Sequence, residues 1–320
     1  MYYKKRKMAF DVISFGGSVV DVFIRTDMPE KNNFISYPVG TKILIKDLKF
    51  DIGGGAINTA SVFSRLGLKT GCITKVGDDI NGRKILRVLN KEGITFLGTV
   101  DKEGISGYSV ILDSQNNDRT ILTYKGLNDK ITFEEINLRK IDTKWIYFSS
   151  LFGKSLDTQK KLARVLYDKG VKIGFNPNPT LIRTKDLDIL LELSYVLIIN
   201  EEEAEILAKK KRLKGKDLLK GIHGLGPKIV VITNKNKPIV CYDGVKKYSI
   251  TPHKIKVIER TGGGDAFAAG FISGLIAGKS INDSLKLGLK ESEDVIRQVC
   301  GRKKSTKTKL KKSSFFSSLK

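Results

Sequence analysis

Short apolar segments alternate with amphipathic helical patterns over most of the chain. The apolar segments are nearly continuous, which is typical of strands that are buried on both faces of a parallel sheet. We predict strands in FDVISFGG, KTGCITKVG, WIYFSSL, VKIGFNP, YVLIIN and KIVVIT. Helical periodicity lies between them, in segments such as INTASVFSRLG and NGRKILRVLNKEG, which both end at a glycine. The alternation predicts an α/β fold with a central, mostly parallel sheet flanked by helices.

Two stretches, residues 22–50 and 95–125, interrupt this alternation. Both show the alternating apolar and polar positions of β-hairpins with polar turns. In the clearer case, GYSVILDSQNNDRTILTYKG, the turn is predicted at Gln115–Asp118. Because both stretches lie beside glycine-rich motifs, we predict that they form a small β-sheet over the edge of the main sheet. This sheet would act as a lid on a single domain of residues 1–300.

Basic residues are concentrated at the two ends of the chain. The formal net charge is +24, and much of it lies in Lys4–Lys7 and in residues 301–320. The final segment, GRKKSTKTKLKKSSFFSSLK, lacks hydrophobic periodicity, so we predict a disordered basic tail over residues 301–320. The other lysines are scattered among acidic residues, as on solvated helix surfaces. This distribution argues against specific nucleic-acid binding, although a non-catalytic nucleic-acid-binding protein stays open as an alternative.

The composition also limits the compartment and the kinds of site. No apolar run approaches the ~20 residues that span a bilayer, and no apolar segment of the signal-peptide type follows the basic N-terminus. Three distant cysteines predict no disulfide framework. The two histidines, His223 and His253, are interpreted as loop residues rather than as catalytic groups or metal ligands. We therefore expect a cytoplasmic protein with no membrane partner.

The most specific chemical signal lies in KIKVIERTGGGDAFAAGFISGLIAG. A predicted strand, Lys254–Ile258, leads through Gly262–Gly264 into a helix that begins near Asp265. Glycines let the backbone approach a ligand closely, and a helix start offers free N–H groups and a positive dipole end. The turn therefore suits an anion such as a phosphoryl group, and Asp265 would accept the proton of an attacking hydroxyl. Without the strand-loop-helix context, a flexible turn with a helix-capping aspartate would be favoured instead.

A second glycine motif, DIGGGAINTASVFSRLG, also precedes a helix. Its free N–H groups and the side-chain amide of Asn58 would hold a polyol through hydrogen bonds. Asp21, at the end of the first predicted strand, would accept hydrogen bonds from sugar hydroxyls. Taken alone, Asp21 is equally well explained as a turn residue, and Asn58 as a cap or a surface residue.

A third element, IINEEEAEIL, begins a helix after a predicted strand. Asn200 and Glu203 have the spacing of a capping box, in which each side chain bonds the other residue's backbone N–H. The same two side chains, at the end of a parallel strand, would also suit water molecules around Mg²⁺, which usually keeps several of its waters. The residues alone leave both interpretations open.

With these three elements in order, the chain resembles the PfkB carbohydrate kinases, the ribokinase-like family, over residues 10–300. The N-terminal signature of that family is matched by Gly53, Gly54, Ala56, Asn58, Ala60, Gly67 and Gly77. Its C-terminal signature is matched by Gly262, Gly263, Gly264, Asp265, Ala269, Gly270 and Phe271. FNPNP and YVLIINEEEAEIL are similar to the middle section of the family, with Asn200 and Glu203 in its N-x-x-E motif.

The resemblance implies a ribokinase-like fold with a β lid, ATP and Mg²⁺ as cofactors, and phosphorylation of a hydroxymethyl group of a sugar or related small molecule. Asp265 would be the general base, with the backbone of Gly262, Gly263 and Gly264 as the anion hole. The acceptor would be bound by Asp21, Gly53, Gly54, Gly55 and Asn58. The nucleotide would be held by Asn200, Glu203 and Thr233, with Glu203 reaching Mg²⁺ through water. These roles fit phosphoryl transfer, in which catalysis is mainly positioning and charge stabilisation.

The sequence departs from the family pattern at four places. Glu259 and Arg260 stand where an Asp and a Thr are common, which leaves a monovalent-cation site open. The loop at 234–238 lacks the usual glycines, Lys290 and Glu291 replace a small residue and an asparagine near the adenine pocket, and the basic end is unlike the family's terminus. A nucleoside (adenosine-type) kinase of the same family and a silent ligand-binding regulator remain alternatives, and a homodimer through the lid also stays open.

Overall fold

The computed structural model describes residues 9–32, 34–113, 119–213, 217–235, 237–256 and 261–297. Several predictions therefore lie outside the described residues: the turn at Gln115–Asp118, the departures at Glu259 and Arg260, and the tail at 301–320. The strands, in chain order, are β1 (Val12–Phe15), β2 (Val19–Arg25), β3 (Glu30–Lys31), β4 (Phe34–Ile35), β5 (Asp47–Gly53), β6 (Thr70–Ile73), β7 (Lys75–Gly77), β8 (Thr95–Phe96), β9 (Thr99–Asp101), β10 (Gly107–Asp113), β11 (Arg119–Tyr124), β12 (Trp145–Ser149), β13 (Lys172–Asn176), β14 (Val196–Asn200), β15 (Ile229–Thr233), β16 (Ile239–Tyr242) and β17 (Lys247–Ile250).

Helices connect most strands of the main sheet. They are α1 (Gly55–Arg65), α2 (Ile80–Lys91), α3 (Gly153–Tyr167), α4 (Pro179–Thr184), α5 (Asp188–Glu192), α6 (Glu201–Lys210), α7 (Leu218–His223), α8 (Gly263–Ile276) and α9 (Ile281–Ile296), with short 3₁₀ turns at Gly126–Asp129, Phe133–Glu135 and Leu138–Lys140. In the part of the chain that the structure describes, no helix is both long and apolar enough to cross a membrane.

The main sheet of the described chain has nine strands in the order β17-β16-β15-β14-β13-β12-β1-β6-β8. All neighbours from β15 to β8 are parallel, and the edge strands β16 and β17 are antiparallel. The predicted α/β class with a mostly parallel central sheet is therefore confirmed.

Continuous apolar strands allow both faces of this sheet to be buried. On one face Phe15 and Phe148 pack edge to face, with ring centroids 5.9 Å apart, against the layer of α3–α7. On the other face Tyr147 packs against Phe63 of α1, with centroids 6.2 Å apart, in a core that also contains Phe271 of α8. Alternate residues of β12 thus serve opposite cores, and helix starts are held at the carboxyl edge of the sheet.

A separate four-stranded sheet has the order β11-β10-β2-β5. We call it the small sheet. It contains the hairpin of β10 and β11 that the alternating pattern predicts, and residues 19–25 and 47–53 form its other two strands. The predicted segment 95–125 extends too far, because β8 pairs with β6 at the edge of the main sheet and β9 pairs with β7. Of the described residues in this segment, Gly107–Asp113 and Arg119–Tyr124 belong to the small sheet.

Two sequence assignments near the glycine motifs are wrong. Residues 251–256, including the first part of the predicted strand Lys254–Ile258, form no strand, and residues 257–258 lie outside the described ranges. The last strand of the main sheet ends earlier, at Ile250, and Pro252 beyond it has no N–H group to donate to a sheet ladder. Asp21 does not end β1; it is the third residue of β2, in the small sheet.

Candidate active site

The carboxyl ends of β13, β14 and β15 meet the start of α8 around a cavity of about 210 Å³. We call it the inner cavity. Its lining residues are Asn176, Ile198, Asn200, Glu203, Thr233, Gly262, Gly264 and Asp265. Six of these were predicted site residues that are distant in sequence. The structure brings them together at the edge of a parallel sheet, where ligands usually bind in open α/β folds.

The start of α8 is shaped by glycines. Gly262 has the left-handed φ of +80°, and its carbonyl accepts the N–H of Ala266 at 2.9 Å as the first bond of the helix. Helix geometry therefore leaves the N–H groups of Gly263, Gly264 and Asp265 without partners in the helix ladder. A Cβ built on Gly264 would have no heavy atom within 4 Å, so this side of the turn is open. The turn can accept an anion at a positive helix end.

Asp265 lies in the first turn of α8, and its Oδ2 accepts a hydrogen bond of 2.8 Å from Nδ2 of Asn58 in α1. The carboxyl group borders the inner cavity, and Asp265 is partly buried. Burial raises the pKa of Asp265 to about 6, while the hydrogen bond from Asn58 acts in the opposite direction. A carboxylate with this pKa is ionised at neutral pH and retains basicity for accepting a proton.

The start of α1 approaches the same place through close backbone contacts. Gly54 has a φ of +95°, and a Cβ on it would lie 2.4 Å from the carbonyl oxygen of Gly17. A Cβ on Gly55 would lie 2.4 Å from Oγ of Ser149 and 3.9 Å from Oδ1 of Asp265. Only glycines allow this approach, which places the first turn of α1 beside the carboxyl group of Asp265.

Asp21 lies next to the same glycine motif but on the small sheet. It pairs across β2 and β5 with Asp51, and across β2 and β10 with Ser109. Its side chain is buried, and its Oδ2 would lie 2.3 Å from a Cβ on Gly53. The position of Asp21 beside Gly53 therefore links the small sheet to the loop that leads into α1.

Asn200 and Glu203 form the predicted capping box. Oδ1 of Asn200 accepts the N–H of Glu203 at 2.9 Å, and Oε2 of Glu203 accepts the N–H of Asn200 at 2.7 Å. Both residues also line the inner cavity. Burial, and to a smaller extent the charge of Glu202, raise the pKa of Glu203 to about 7, although the bond from Asn200 lowers it. The capping interpretation and a place at the site are thus both compatible with this geometry.

The donor set of the inner cavity fits a hydrated Mg²⁺ ion. Among the described residues, no group of three or more His, Cys, Asp or Glu could enclose a metal. Two carboxylates, Asp265 and Glu203, line the cavity, and burial raises the pKa of each. Mg²⁺ usually binds through one or two carboxylates, water and substrate phosphates, and these residues match that pattern.

A larger cavity of about 1060 Å³ shares Asn200, Thr233 and Gly264 with the inner cavity. We call it the outer cavity. Its apolar walls are formed by Ile239, Pro252, Ile255, Phe267, Leu289 and Ile296. Its polar side chains include Lys235, His253, Ser292 and Glu293. A cavity of this size that combines apolar side chains with many polar groups, among them Glu201 and Glu202, is suited to a polar small-molecule ligand.

The sequence reasoning missed several of these residues. Asn176 lines the inner cavity and donates from Nδ2 to the carbonyl of Ile198 at 2.6 Å; its position at the end of a predicted strand, in FNPNP, was the available signal. His253 was interpreted as a loop residue, and it does lie outside regular structure, but it lines the outer cavity. The residues that α9 contributes to the outer cavity had no sequence signal beyond the amphipathic pattern of this helix.

Two of the departures from the family pattern have local structural explanations. Glu291 is buried and lies 3.7 Å, Oε2 to Nη2, from Arg65 at the end of α1, so it joins two helices. In the 234–238 loop, Glu201 at the start of α6 accepts hydrogen bonds from Asn234 at 2.5 Å and from Lys237 at 3.1 Å. Polar side chains thus tie this glycine-free loop to the strand-helix junction beside it.

Comparison with known proteins agrees with this architecture. The profile of the pfkB family carbohydrate kinases matches residues 12–301. An uncharacterized sugar kinase of Archaeoglobus fulgidus is 30% identical over 235 residues, which are 70% of this chain and 90% of that protein. A cytidine kinase of Thermococcus kodakarensis is 29% identical over 77% of this chain and 88% of its own length. The crystal structure of a ribokinase from Thermotoga maritima superposes with a TM-score of 0.79 at 18% identity, covering 91% of this chain and 94% of that one. The chain therefore belongs to the pfkB family of carbohydrate kinases and has the ribokinase-like fold.

Proposed function

We propose that this protein transfers the γ-phosphoryl group of ATP to a hydroxymethyl group of a sugar, with Asp265 as the general base. Kinases of this family are phosphotransferases that act on sugars, and sugar or nucleoside kinase is the activity common to its relatives. The observation that carries the proposal is the placement of Asp265. Its carboxyl group, with a pKa raised to about 6, borders a cavity at a glycine-rich helix start.

The proton transfer follows from this placement. The acceptor hydroxyl donates its proton to Asp265 as its oxygen attacks the γ-phosphorus, and the bond from that phosphorus to the bridging oxygen of ADP breaks. Negative charge on the transferring group faces the N–H groups of Gly263 and Gly264, which are fixed before the reaction begins. Asn58 holds the carboxyl group of Asp265 in place through its bond of 2.8 Å. These residues supply positioning and charge stabilisation, the main requirements of phosphoryl transfer.

We propose that the outer cavity receives the nucleotide. Its apolar walls suit a base, and its boundary with the inner cavity at Asn200, Thr233 and Gly264 brings the phosphates towards Asp265. Lys235 in this cavity would add a positive charge near the phosphates. Mg²⁺, which kinases of this family generally require, would neutralise phosphate charge, with Glu203 holding one of its waters.

The acceptor would lie on the other side of Asp265, between the start of α1 and the small sheet. Asp21, Gly53, Gly54, Gly55 and Asn58 are the residues proposed to bind it. A Cβ on Gly54 or Gly55 would collide with Gly17 or Ser149, so these glycines would serve by bringing the first turn of α1, with Asn58, close to the acceptor. A nucleoside acceptor is the second candidate, and the similarity to a cytidine kinase is the specific observation that favours it.

A screen of ADP release tests this function. Pentoses, hexoses, keto-deoxy sugar acids and nucleosides are offered in turn with Mg²⁺ and ATP, and Asp265→Asn serves as the matched inactive control. We expect one sugar class to give ADP release that the variant loses. Release with nucleosides alone would transfer the proposal to the second candidate, and release in neither class, with ATP bound, would support a silent ligand-binding protein.

The homodimer remains a proposal about the small sheet. Phe50 of β5 and Leu122 of β11 lie on one face of that sheet. Phe50 pairs with Val22 of β2, Val22 pairs with Val110 of β10, and Val110 pairs with Leu122. Both side chains are more than half exposed. A second copy of the same apolar face would cover them, as in an isologous dimer. Light scattering of the wild type and of Phe50→Lys tests this: a monomeric wild type would contradict it.

A further inference from the structure

His253 and Glu293 form a pair in the wall of the outer cavity. Oε1 of Glu293, in α9, accepts the backbone N–H of His253 at 2.9 Å, and Nδ1 of the imidazole lies 3.0 Å from both carboxylate oxygens. Glu293 is buried, whereas the side chain of His253 is 73% exposed. The buried carboxylate therefore fixes an exposed imidazole in one orientation.

The same pair assigns a tautomer to the neutral imidazole. An ionised carboxylate only accepts hydrogen bonds, so Nδ1 must carry the hydrogen that is directed to Glu293. In the neutral ring, Nε2 is then an acceptor. Because the two ring nitrogens point in nearly opposite directions, Nε2 is directed away from Glu293, and His253 itself lines the outer cavity.

The surroundings of His253 suit a flat aromatic ligand. Ile239, Ile255 and Phe267 line the same cavity. A nucleobase can lie against such apolar side chains, but they do not distinguish one base from another. Discrimination requires a polar group that is fixed in place, because a mismatched donor or acceptor then loses its hydrogen bond.

We propose that the His253–Glu293 pair selects the base of the phosphoryl donor. Nε2 of His253 accepts a hydrogen bond from an exocyclic amino group of that base. This rests on the proposed function only in placing the nucleotide in the outer cavity. The 6-amino group of adenine meets the requirement. The 6-oxo group of hypoxanthine does not, because it places an acceptor opposite an acceptor.

ATP and ITP provide the test, since their bases differ in this 6-substituent and in the associated proton on N1. Dissociation constants for both nucleotides are measured by calorimetry at pH 8.5 with Mg²⁺ and without an acceptor, so that the readout is independent of turnover. We expect the wild type to prefer ATP by about tenfold, the contribution of one matched hydrogen bond. His253→Ala should bind both nucleotides with nearly equal affinity.

Glu293→Gln is the decisive variant because it reverses the tautomer. The carboxamide oxygen can keep the bond to the backbone N–H of His253, while its NH₂ group donates to Nδ1 and places the ring hydrogen on Nε2. Nε2 then donates, and the preference should shift towards ITP. His223→Ala is the matched control, since His223 packs against Tyr242, with ring centroids 5.0 Å apart, outside the cavity; it should keep the wild-type ratio.

The two proposals fail in different ways. If wild type binds ATP selectively but phosphorylates no acceptor, the proposed function is wrong and the base-selecting pair stands. If the ratio of ATP to ITP affinity in folded His253→Ala and Glu293→Gln stays within twofold of wild type, the pair does not select the base. A wild type that binds neither nucleotide would overturn both.

Discussion

Asn58 and Asp265 are joined by a hydrogen bond of 2.8 Å although 207 residues separate them in the chain. The bond connects the first turns of α1 and α8, the two helices that follow glycine motifs. It holds one oxygen of the partly buried carboxyl group and favours its ionised form. The two motifs therefore form one unit, in which the second supplies the carboxylate and the first orients it.

Removal of this bond should change the pH dependence of the reaction. In Asn58→Ala the pKa of Asp265 rises further above about 6, because the interaction that lowers it is lost. The acid limb of kcat/KM should therefore move to higher pH, and activity at pH 6.5 should fall more than activity at pH 8.5. A KM that rises equally at all pH values, with an unmoved limb, would show that Asn58 binds the acceptor and does not tune the base.

Replacement of the proposed base should lower activity and increase stability. We expect Asp265→Asn to lose at least ~10²-fold in turnover, the usual contribution of a positioned base. The folded pKa of about 6 exceeds the unfolded value of ~3.9, so the native state binds more protons between these pH values. The free energy of unfolding of the wild type therefore falls as pH rises through this window.

The variant has no carboxyl group to titrate at this position and avoids that cost. At pH 8 it should be more stable than wild type by at most ~3 kcal/mol, and the difference should nearly vanish at pH 4. Urea unfolding at the two pH values measures this difference. Equal differences at both values, or a less stable variant at pH 8, would contradict the assigned burial of the charge.

The two interpretations of Glu203 can be separated by a pair of variants. Glu203→Gln keeps the capping box, because a glutamine at this position also accepts the N–H of Asn200. It removes the charge, so the Mg²⁺ concentration for half-maximal activity should rise about tenfold or more. Glu203→Ala should show the same change and also lose ~1 kcal/mol of stability with the cap. An unchanged Mg²⁺ requirement in Glu203→Gln would leave the cap as the whole function of this residue.

The start of α1 packs closely against Gly17, and alanine substitution of two glycines with positive φ, Gly54 and Gly93, tests this contact. Gly54→Ala combines a φ of +95° with a Cβ only 2.4 Å from the carbonyl oxygen of Gly17, and it should lose at least ~2 kcal/mol of stability. Gly93→Ala has a φ of +69° and nothing within 4 Å, so it should lose only ~1 kcal/mol. Similar losses in thermal unfolding would show that the loop before α1 moves to accept the side chain.

Local patterns predicted the features whose causes are local. Continuous apolar strands, the β10–β11 hairpin and the capping box at Asn200 each depend on residues that are close in sequence. The assignment of Lys254–Ile258 as a strand shows the limit of such patterns. Its alternating apolar residues suit a strand, but the sheet ends at Ile250, Pro252 follows, and the described residues 254–256 form no strand.

Contacts between distant segments could not be read from patterns. The pairing of β8 with β6 depends on the path of the whole chain, because two residues carry too little pattern to choose a sheet. No local pattern indicates that Glu291 contacts Arg65, or that Glu293 fixes His253 in a cavity wall. The Glu291–Arg65 contact requires the packing of α9 beside α1, and the Glu293–His253 contact requires its packing beside residues 251–256.

Asp21 and Asp265 are carried by different parts of the fold, the first by the small sheet and the second by a helix packed on the large one. A tilt of the small sheet would change the distance between Asp21, the proposed acceptor-binding residue, and the oxygen atoms of Asp265. The Asn58–Asp265 bond is held by the packing of α1 and α8 on the large sheet, and α1 also contacts Val20 and Ile52 of the small sheet. Substitutions in the small sheet can therefore change the acceptor preference while Asn58 and Asp265 keep their geometry.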